Sequence, residues 1–146
     1  MNLTTERKKL CHSIFVTALE GGIGYWSSCS EYHWALKSVD GDLTDDLTDD
    51  LTDDLDGFYA IIREEENKDE NGMTPEHIIN AEVIDRGINR IANGTATFGG
   101  KPLTAKGRIY RLGCALNGPL AEEVDFDAGD ADNIVQIGLF GDVVYG

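Results

Sequence analysis

Cysteine, proline and basic residues are all scarce in this sequence. The chain has three cysteines and three prolines among 146 residues. The cysteines, Cys11, Cys29 and Cys114, are odd in number and far apart, and none belongs to a C-x-x-C pair. Such spacing provides neither a zinc motif nor a dithiol redox motif, so we expect three reduced thiols in a reducing compartment.

The sequence also lacks a long hydrophobic run. No apolar stretch approaches the roughly 18–20 residues that a membrane-spanning helix requires. The one candidate near the N-terminus is cut short by Glu20, Gly21 and Gly22, so we expect no signal peptide. Hydrophobic residues still make up 41% of the chain, which is enough for a packed core. The length fits a single domain over residues 1–146.

Basic side chains are outnumbered by acidic ones, 12 against 27, which gives a formal net charge of −15. A surface this negative repels phosphate backbones and anionic lipids, so we expect neither direct nucleic-acid binding nor membrane binding. The charge is compatible with a basic protein partner. One version of that hypothesis is a DNA mimic, whose carboxylates occupy the nucleic-acid groove of its target.

Much of the acidity lies in residues 40–56, which read DGDLTDDLTDDLTDDLD. This segment holds nine aspartates, no basic residue and three tandem Leu-Thr-Asp-Asp copies. Aspartate and threonine form helices poorly and adjacent aspartates repel, so we predict an acidic low-complexity loop. An EF-hand loop needs a glycine at its sharp turn and a terminal glutamate, and the repeat has neither. We therefore expect no calcium site there.

Apolar residues at helical spacing predict four helices. Their predicted spans are Thr5 to Leu19, Pro75 to about Ala92, Thr104 to Leu116 and Ala131 to Phe140. Thr74 and Asp130 are the predicted N-caps of the second and fourth helices. The first helix is expected to end at Gly21-Gly22.

Two strands are predicted between the first and second helices, at Ile23 to Lys37 and Gly57 to Glu64. We expect them to pair as an antiparallel hairpin, with the acidic repeat at its tip. Alternation places Trp26, Tyr32 and Trp34 on the predicted core face of the first strand. The predicted fold class is α+β, a small antiparallel β-hairpin or sheet packed against about four α-helices.

One acidic cluster is a candidate metal site. Asp125, Asp127, Asp130 and Asp132 precede or begin the last predicted helix. Divalent metals bind such oxygens, whereas helix capping and dipole compensation explain the cluster equally well. A metal-dependent enzyme that uses these residues is therefore one alternative function. The three histidines are scattered and form no recognisable nucleophile pair with a cysteine.

The most informative feature is a glycine–aromatic corner, Glu20-Gly21-Gly22-Ile23-Gly24-Tyr25-Trp26. Its glycines follow a helix and precede a strand, which is the wrong polarity for a phosphate cradle. The strand face opposite the predicted core mixes tyrosine, glutamate and histidine, and such a face suits a partner or small ligand. The candidate binding residues are Glu20, Gly21, Gly22, Tyr25, Trp26, Glu31, His33 and Tyr145.

The corner also carries a family resemblance. Its EGG-x-x-YW pattern, at residues 20–26, resembles a motif of small uncharacterised bacteriophage accessory proteins. The ending resembles the C-terminus of the same family, from Asp130-Ala131-Asp132-Asn133-Ile134-Val135-Gln136 through Leu139-Phe140-Gly141-Asp142-Val143-Val144-Tyr145-Gly146. The acidic repeat lies outside this likeness. The resemblance implies a phage product made in the host bacterial cytoplasm, where small proteins of this kind often block host defence by binding.

The leading hypothesis is therefore a non-enzymatic protein that sequesters a host factor or a small defence signal. The expected partner is a host protein or a small-molecule ligand, with no cofactor and no metal. The alternatives are the acidic DNA mimic and the metal-dependent enzyme. An exposed aromatic sheet face would also allow homo-oligomers.

Overall fold

A computed structural model of the chain describes residues 3–33 and 58–146. The helices are α1 at Thr5–Thr17, α2 at Ala81–Ala92, α3 at Arg108–Leu116 and α4 at Ala128–Phe140. A π-helical turn at Ala18–Gly22 extends α1, and a 3-10 turn lies at Ala121–Glu123. The strands are β1 at Ser27–His33, β2 at Tyr59–Glu64, β3 at Glu76–Asn80, β4 at Thr97–Phe98, β5 at Lys101–Pro102 and β6 at Asp142–Val143.

The strands form two small sheets. The first has the order β1-β2-β3 and is antiparallel throughout. The second has the order β5-β4-β6, with β4 antiparallel to β5 and parallel to β6. Within residues 3–33 and 58–146, four helices beside two small sheets confirm the predicted α+β class. The predicted pairing of the first two strands is also confirmed, whereas the acidic repeat at residues 40–56 lies outside the described residues.

The second predicted helix is wrong at its start. Residues Glu76–Asn80 form strand β3 against β2, and α2 begins only at Ala81. Asn80 is the N-cap, and its side chain accepts the Val83 N–H at 3.0 Å. Thr74 and Pro75 therefore do not start a helix. Pairing with the open edge of β2 overrides the helical spacing that includes Ile78.

The first predicted strand is too long at its N-terminal end. The backbone N–H groups of Trp26 and Ser27 both bond to the Ile23 carbonyl, so Ile23 to Trp26 form a tight turn. The predicted core face is also wrong beyond Trp26, because Tyr32 on that face is 56% exposed. A register shift between Cys29 and Glu31 also breaks the alternation that the prediction assumed, and β1 is an edge strand in which every residue after Ser27 is exposed. Residues 34–37 lie outside the described residues.

The last two helices start at other residues than predicted. The third begins at Arg108, after a turn in which the Gly107 N–H bonds to the Thr104 carbonyl. The fourth begins at Ala128, and Asp127 is its N-cap in place of Asp130. Asp130 instead completes a capping box with Asp127. Both helix ends, at Leu116 and Phe140, are as predicted.

The core lies between the helices and the inner face of the first sheet. Along β2, Ala60, Ile62 and Glu64 are buried, and the residues between them are half-buried. Helices α2 and α4 approach closely at two glycines, Gly87 and Gly138, each of which faces backbone of the other helix. The largest fully buried side chains are Trp26, Phe15, Phe58, Ile14, Ile62, Ile79, Ile84, Ile88, Ile91, Leu116 and Ile134.

The cysteines differ sharply in exposure. Cys11 is fully buried in α1, and burial raises the pKa of its thiol to about 12. Cys29 is exposed on β1. Because the thiolate is the reactive form, we expect iodoacetamide to modify Cys29 in the native protein at least about 100-fold faster than Cys11. Mass mapping of alkylated peptides would show this. Equal rates for the two residues without urea would contradict the burial of Cys11.

Candidate functional site

The glycine–aromatic corner begins where α1 meets the start of α4. A Cβ added at Gly22 would lie 2.7 Å from the carbonyl oxygen of Ala128, a distance that no real side chain tolerates. Gly22 is therefore required for close packing of the π-helical turn against α4. Glu20 and Gly21 lie on the exposed side of the same turn.

Trp26 lies inside the protein at this corner. It is 2% exposed, and its ring stacks on Tyr145 with ring centroids 5.1 Å apart and planes at 7°. Phe140 packs edge-on against it at 5.9 Å. The indole Nε1 donates a hydrogen bond of 2.8 Å to Oδ1 of Asp132. The ring and the polar atom of Trp26 thus both have partners within the chain.

Asp132 and Gln136 of α4 connect the corner to the C-terminal segment. Asp132 accepts further bonds from the Tyr25 hydroxyl at 2.6 Å and from Gln136 Nε2 at 2.8 Å. Gln136 Oε1 accepts the backbone N–H groups of Val144 and Tyr145, both at 2.8 Å. Burial and the hydrogen bond with Asp132 raise the pKa of Tyr25 to about 12. We call Tyr25, Trp26, Asp132, Gln136 and Tyr145 the corner hub.

The corner hub joins the two segments on which the phage resemblance rests. The EGG-x-x-YW segment supplies the aromatic donors, and the C-terminal segment supplies Tyr145 and the amides that Gln136 binds. Sequence reasoning placed Asp132 in a metal cluster and gave Gln136 no role. The only available signal was that both lie at the start of the C-terminal stretch resembling that family.

A second set of hydrogen-bonded polar side chains is centred on Glu64 and includes the hydroxyl group of Tyr145. The Tyr145 hydroxyl donates a short hydrogen bond to Oε1 of Glu64, and Asn67 Nδ2 donates to the same oxygen at 3.0 Å. Nε2 of His77 lies 2.7 Å from Oε2 of Glu64. Burial by itself would raise the pKa of Glu64, but the bonds from His77, Tyr145 and Asn67 outweigh it and lower that pKa. All the described partners of Glu64 are thus donors that favour its charged form.

The charged form of Glu64 should contribute to stability in a defined pH range. Because its folded pKa is lowered, its contribution is fully present above the unfolded value of about 4.3 and is lost as pH falls through the folded value. We expect Glu64→Gln to lower the free energy of unfolding by about 1–3 kcal/mol at pH near 7, and by less at pH near 3. Urea unfolding at both pH values would measure this.

The matched control for that experiment is Glu65→Gln, the next residue, whose side chain is exposed. It should change stability by less than about 0.5 kcal/mol at either pH. If Glu64→Gln were equally destabilising at both pH values, the Glu64 carboxylate would not be the group that titrates.

The structure separates the remaining predicted site residues from the corner hub. Glu31 and His33 lie at the far end of β1, where both are exposed. The Tyr59 hydroxyl donates to Glu31 Oε2 at 3.4 Å, and the His33 ring stacks on the Tyr59 ring at 5.8 Å. The predicted set therefore divides into residues of the corner, some buried and some exposed, and two residues of an exposed sheet face.

The aspartates of the candidate metal cluster have separate roles. Asp127 caps α4, and Asp130 binds Arg108 through two bonds of 3.0 and 2.6 Å. Asp132 belongs to the corner hub, and Asp125 is exposed. Within residues 3–33 and 58–146, no group of three or more His, Cys, Asp or Glu side chains is arranged to hold a metal ion.

Comparisons with protein-family models, with curated proteins and with solved structures find no match for this chain. Among the helices that the structure describes, none has the length and apolar character needed to cross a membrane. Function must therefore be inferred from the geometry of the described residues.

Proposed function

We propose that the protein binds a basic protein of the cell in which it is made and keeps that protein from its normal task. It carries out no chemistry on its partner. The observation that carries this proposal is the outer face of the first sheet, which exposes an apolar centre inside a charged rim. We call this surface the outer sheet face; it comprises Glu31, His33, Tyr59, Ile61, Arg63, Glu76 and Ile78.

The strand register assembles the apolar centre. Ile61 of β2 lies between Glu31 of β1 and Ile78 of β3, and Tyr59 pairs with His33 in the adjacent row. Paired residues in neighbouring strands share a face, so these side chains lie together. Ile78 is 53% exposed, which is unusual for isoleucine in a strand centre. An aromatic ring beside a half-buried and an exposed isoleucine is typical of the central contacts of protein interfaces.

Charge determines which partner fits this face. Arg63 is paired with Glu76 at 3.0 Å, so these two charges cancel. Glu31 adds a carboxylate, and the segment at residues 65–70, EENKDE, directly follows β2 with four acidic residues and one lysine. A partner with an apolar side chain inside a ring of lysine and arginine would be complementary to this surface.

The corner hub is a poorer candidate for binding. Trp26 is enclosed, and the donors and acceptors of Asp132 and Gln136 are bonded within the chain. A ligand would have to displace those bonds before it made its own. The phage resemblance supports a partner from the bacterial host. Such a partner can contact the outer sheet face without first displacing the hydrogen bonds of the corner hub.

Capture of the partner with face variants tests the proposal. Tagged protein is incubated with bacterial host lysate, and bound proteins are identified and then titrated in purified form. We expect Ile78→Asp to weaken binding at least about tenfold, because it places a charge in the apolar centre. Met73→Asp is the matched control, since Met73 is an apolar residue of similar exposure, 50%, in the loop before β3.

Three outcomes would overturn the proposal. One is equal loss of binding in both variants, which would indicate a general effect of added negative charge. A second is strong loss on deletion of residues 40–56 with no effect of Ile78→Asp, which would support the DNA-mimic hypothesis in its place. The third is turnover of any substrate by the purified chain that one point substitution abolishes.

A further inference from the structure

Positive charge is strongly segregated along this acidic chain. Residues 86–121 contain six of the 12 basic residues and no acidic residue. The rest of the chain therefore holds six basic and all 27 acidic residues. This block of 36 residues has a net charge of +6, whereas the whole chain has a net charge of −15. Such a block indicates a local surface suited to anions.

Two of the six basic residues have an internal role. Arg86 Nε donates to the Gly138 carbonyl at 2.8 Å, and Arg90 Nη1 donates to the Ile137 carbonyl at 2.7 Å. Both thus satisfy carbonyl groups at the C-terminal end of α4. The other four are exposed and follow one another in the segment from β5 to α3: Lys101, Lys106, Arg108 and Arg111.

A cleft of about 450 Å³ lies between the β4–β5 hairpin and the first turn of α3. Its lining is mostly apolar, and Phe98 and Tyr110 contribute aromatic rings to it. Lys101 and Arg108 contribute cations. This volume is within the range of small-molecule sites, which are mostly apolar with a few placed polar groups. Phe98 is 47% exposed, so part of its ring is open to a ligand.

Both walls of the cleft are held in place. On the hairpin side, Gly99 and Gly100 form the turn with φ of 59° and 84°, which only glycine adopts readily. Asp142 fixes that turn by accepting the Gly100 N–H at 2.9 Å and the Thr97 hydroxyl at 2.7 Å. The backbone positions of Phe98 and Lys101 at the cleft are therefore set before any ligand arrives.

On the helix side, a buried carboxylate orients the arginine. Asp130 is 4% exposed and holds Nε and Nη2 of Arg108, and the exposed Asp127 carboxylate lies 3.7 Å from the same Nη2. The Arg108 side chain is nevertheless 67% exposed. The guanidinium thus presents its remaining edge, including Nη1, to the surroundings. The Lys101 ammonium group makes no hydrogen bond or ion pair with any residue that the structure describes, so its charge is available to an anion.

From this cleft we infer a second binding site, independent of the outer sheet face, for a small phosphate ester that carries an aromatic ring, the chemistry of a nucleotide. Lys101 and the open edge of Arg108 bind the phosphate. Phe98 and Tyr110 contact the ring, because aromatic side chains stack on bases. The site accepts a single small ligand, since the chain outside residues 86–121 has a net charge of −21 and repels an extended polyanion.

Calorimetric titration tests the site, with AMP, UMP and phenyl phosphate each added separately to the full chain. We expect at least one of the three to bind saturably with a Kd below about 1 mM at low salt. Adenosine and inorganic phosphate, each lacking one half of the ligand, should bind at least about tenfold more weakly. Phe98→Ser should weaken binding of the aromatic phosphate and leave that of inorganic phosphate unchanged.

Lys101→Glu should weaken binding at least about tenfold. Its matched control is Lys68→Glu, an exposed lysine outside the basic block, which should leave the affinity within about twofold. The site is refuted if none of the three ligands binds to chain that circular dichroism shows to be folded. It is also refuted if Lys68→Glu is as harmful as Lys101→Glu, or if a short oligonucleotide binds more tightly than every mononucleotide and without need of Phe98.

Discussion

Replacing Gly138 with alanine should destabilise the fold by about 3 kcal/mol or more, although alanine is ordinarily the better helix former by about 1 kcal/mol. A Cβ at Gly138 of α4 would lie 2.1 Å from the Val83 carbonyl oxygen of α2. The contact is reciprocal, because a Cβ at Gly87 of α2 would lie 2.3 Å from the Ile134 carbonyl oxygen. Backbone cannot move aside as a side chain can, so the helices would have to separate.

The control is the same substitution in the same helix. A Cβ at Gly129 would meet only the Asp127 carboxylate oxygen, at 3.4 Å. Gly129→Ala should therefore be neutral or slightly stabilising, by up to about 1 kcal/mol. Urea denaturation of both variants provides the comparison. Equal stability of Gly138→Ala and Gly129→Ala would show that α2 and α4 do not cross at the glycine pair.

Replacing Asp132 with alanine should cost about 2–5 kcal/mol, because the substitution removes the acceptor shared by the corner hub. The Trp26 indole N–H would remain buried without an acceptor. The Gln136 amide and the Tyr25 hydroxyl each have a further acceptor in the Tyr145 carbonyl at 3.1 Å, so they should lose less. We also expect the near-ultraviolet circular dichroism of the tryptophans to change.

Asp125→Ala is the matched control, because Asp125 is an exposed aspartate seven positions earlier in the same acidic stretch. It should alter the free energy of unfolding by less than about 0.5 kcal/mol. If Asp132→Ala were as stable as Asp125→Ala, the hub would not hold the corner to α4. A metal-dependent gain in stability that needs both aspartates would instead support the metal-site hypothesis.

The sequence was a good guide to helices and a poor guide to strands. Helix α2 was predicted to end at Ala92, and it does, because the Asn93-Gly94 stop is a local signal. Strand β3 was assigned to that helix because Ile78 also fits helical spacing. Only the free edge of β2, which is remote in sequence, makes Glu76–Asn80 extended. The Asn80 cap was visible in the sequence, but Thr74-Pro75 provided a competing start signal.

In the candidate site, too, features set by local sequence could be predicted, and contacts between distant residues could not. Periodicity and residue type indicated that Trp26 belongs in the core, and the structure confirms this. Neither property indicates that Asp132 and Gln136 bond to Tyr25, Trp26 and Tyr145, since those contacts span up to 111 residues. His77 was missed because its pairing with Glu64 depends on strand β3. The cleft beside Phe98 was missed because two-residue strands leave almost no periodic pattern.

The affinity of a captured host protein for two charge variants decides whether the protein binds through the outer sheet face. Ile78→Asp changes the outer sheet face, and Glu20→Arg changes the exposed side of the glycine–aromatic corner without removing any contact of the hub. We predict that Ile78→Asp weakens binding at least about tenfold and that Glu20→Arg leaves it within about twofold. If only Glu20→Arg lost affinity, binding would lie at the glycine–aromatic corner, which would contradict binding through the outer sheet face.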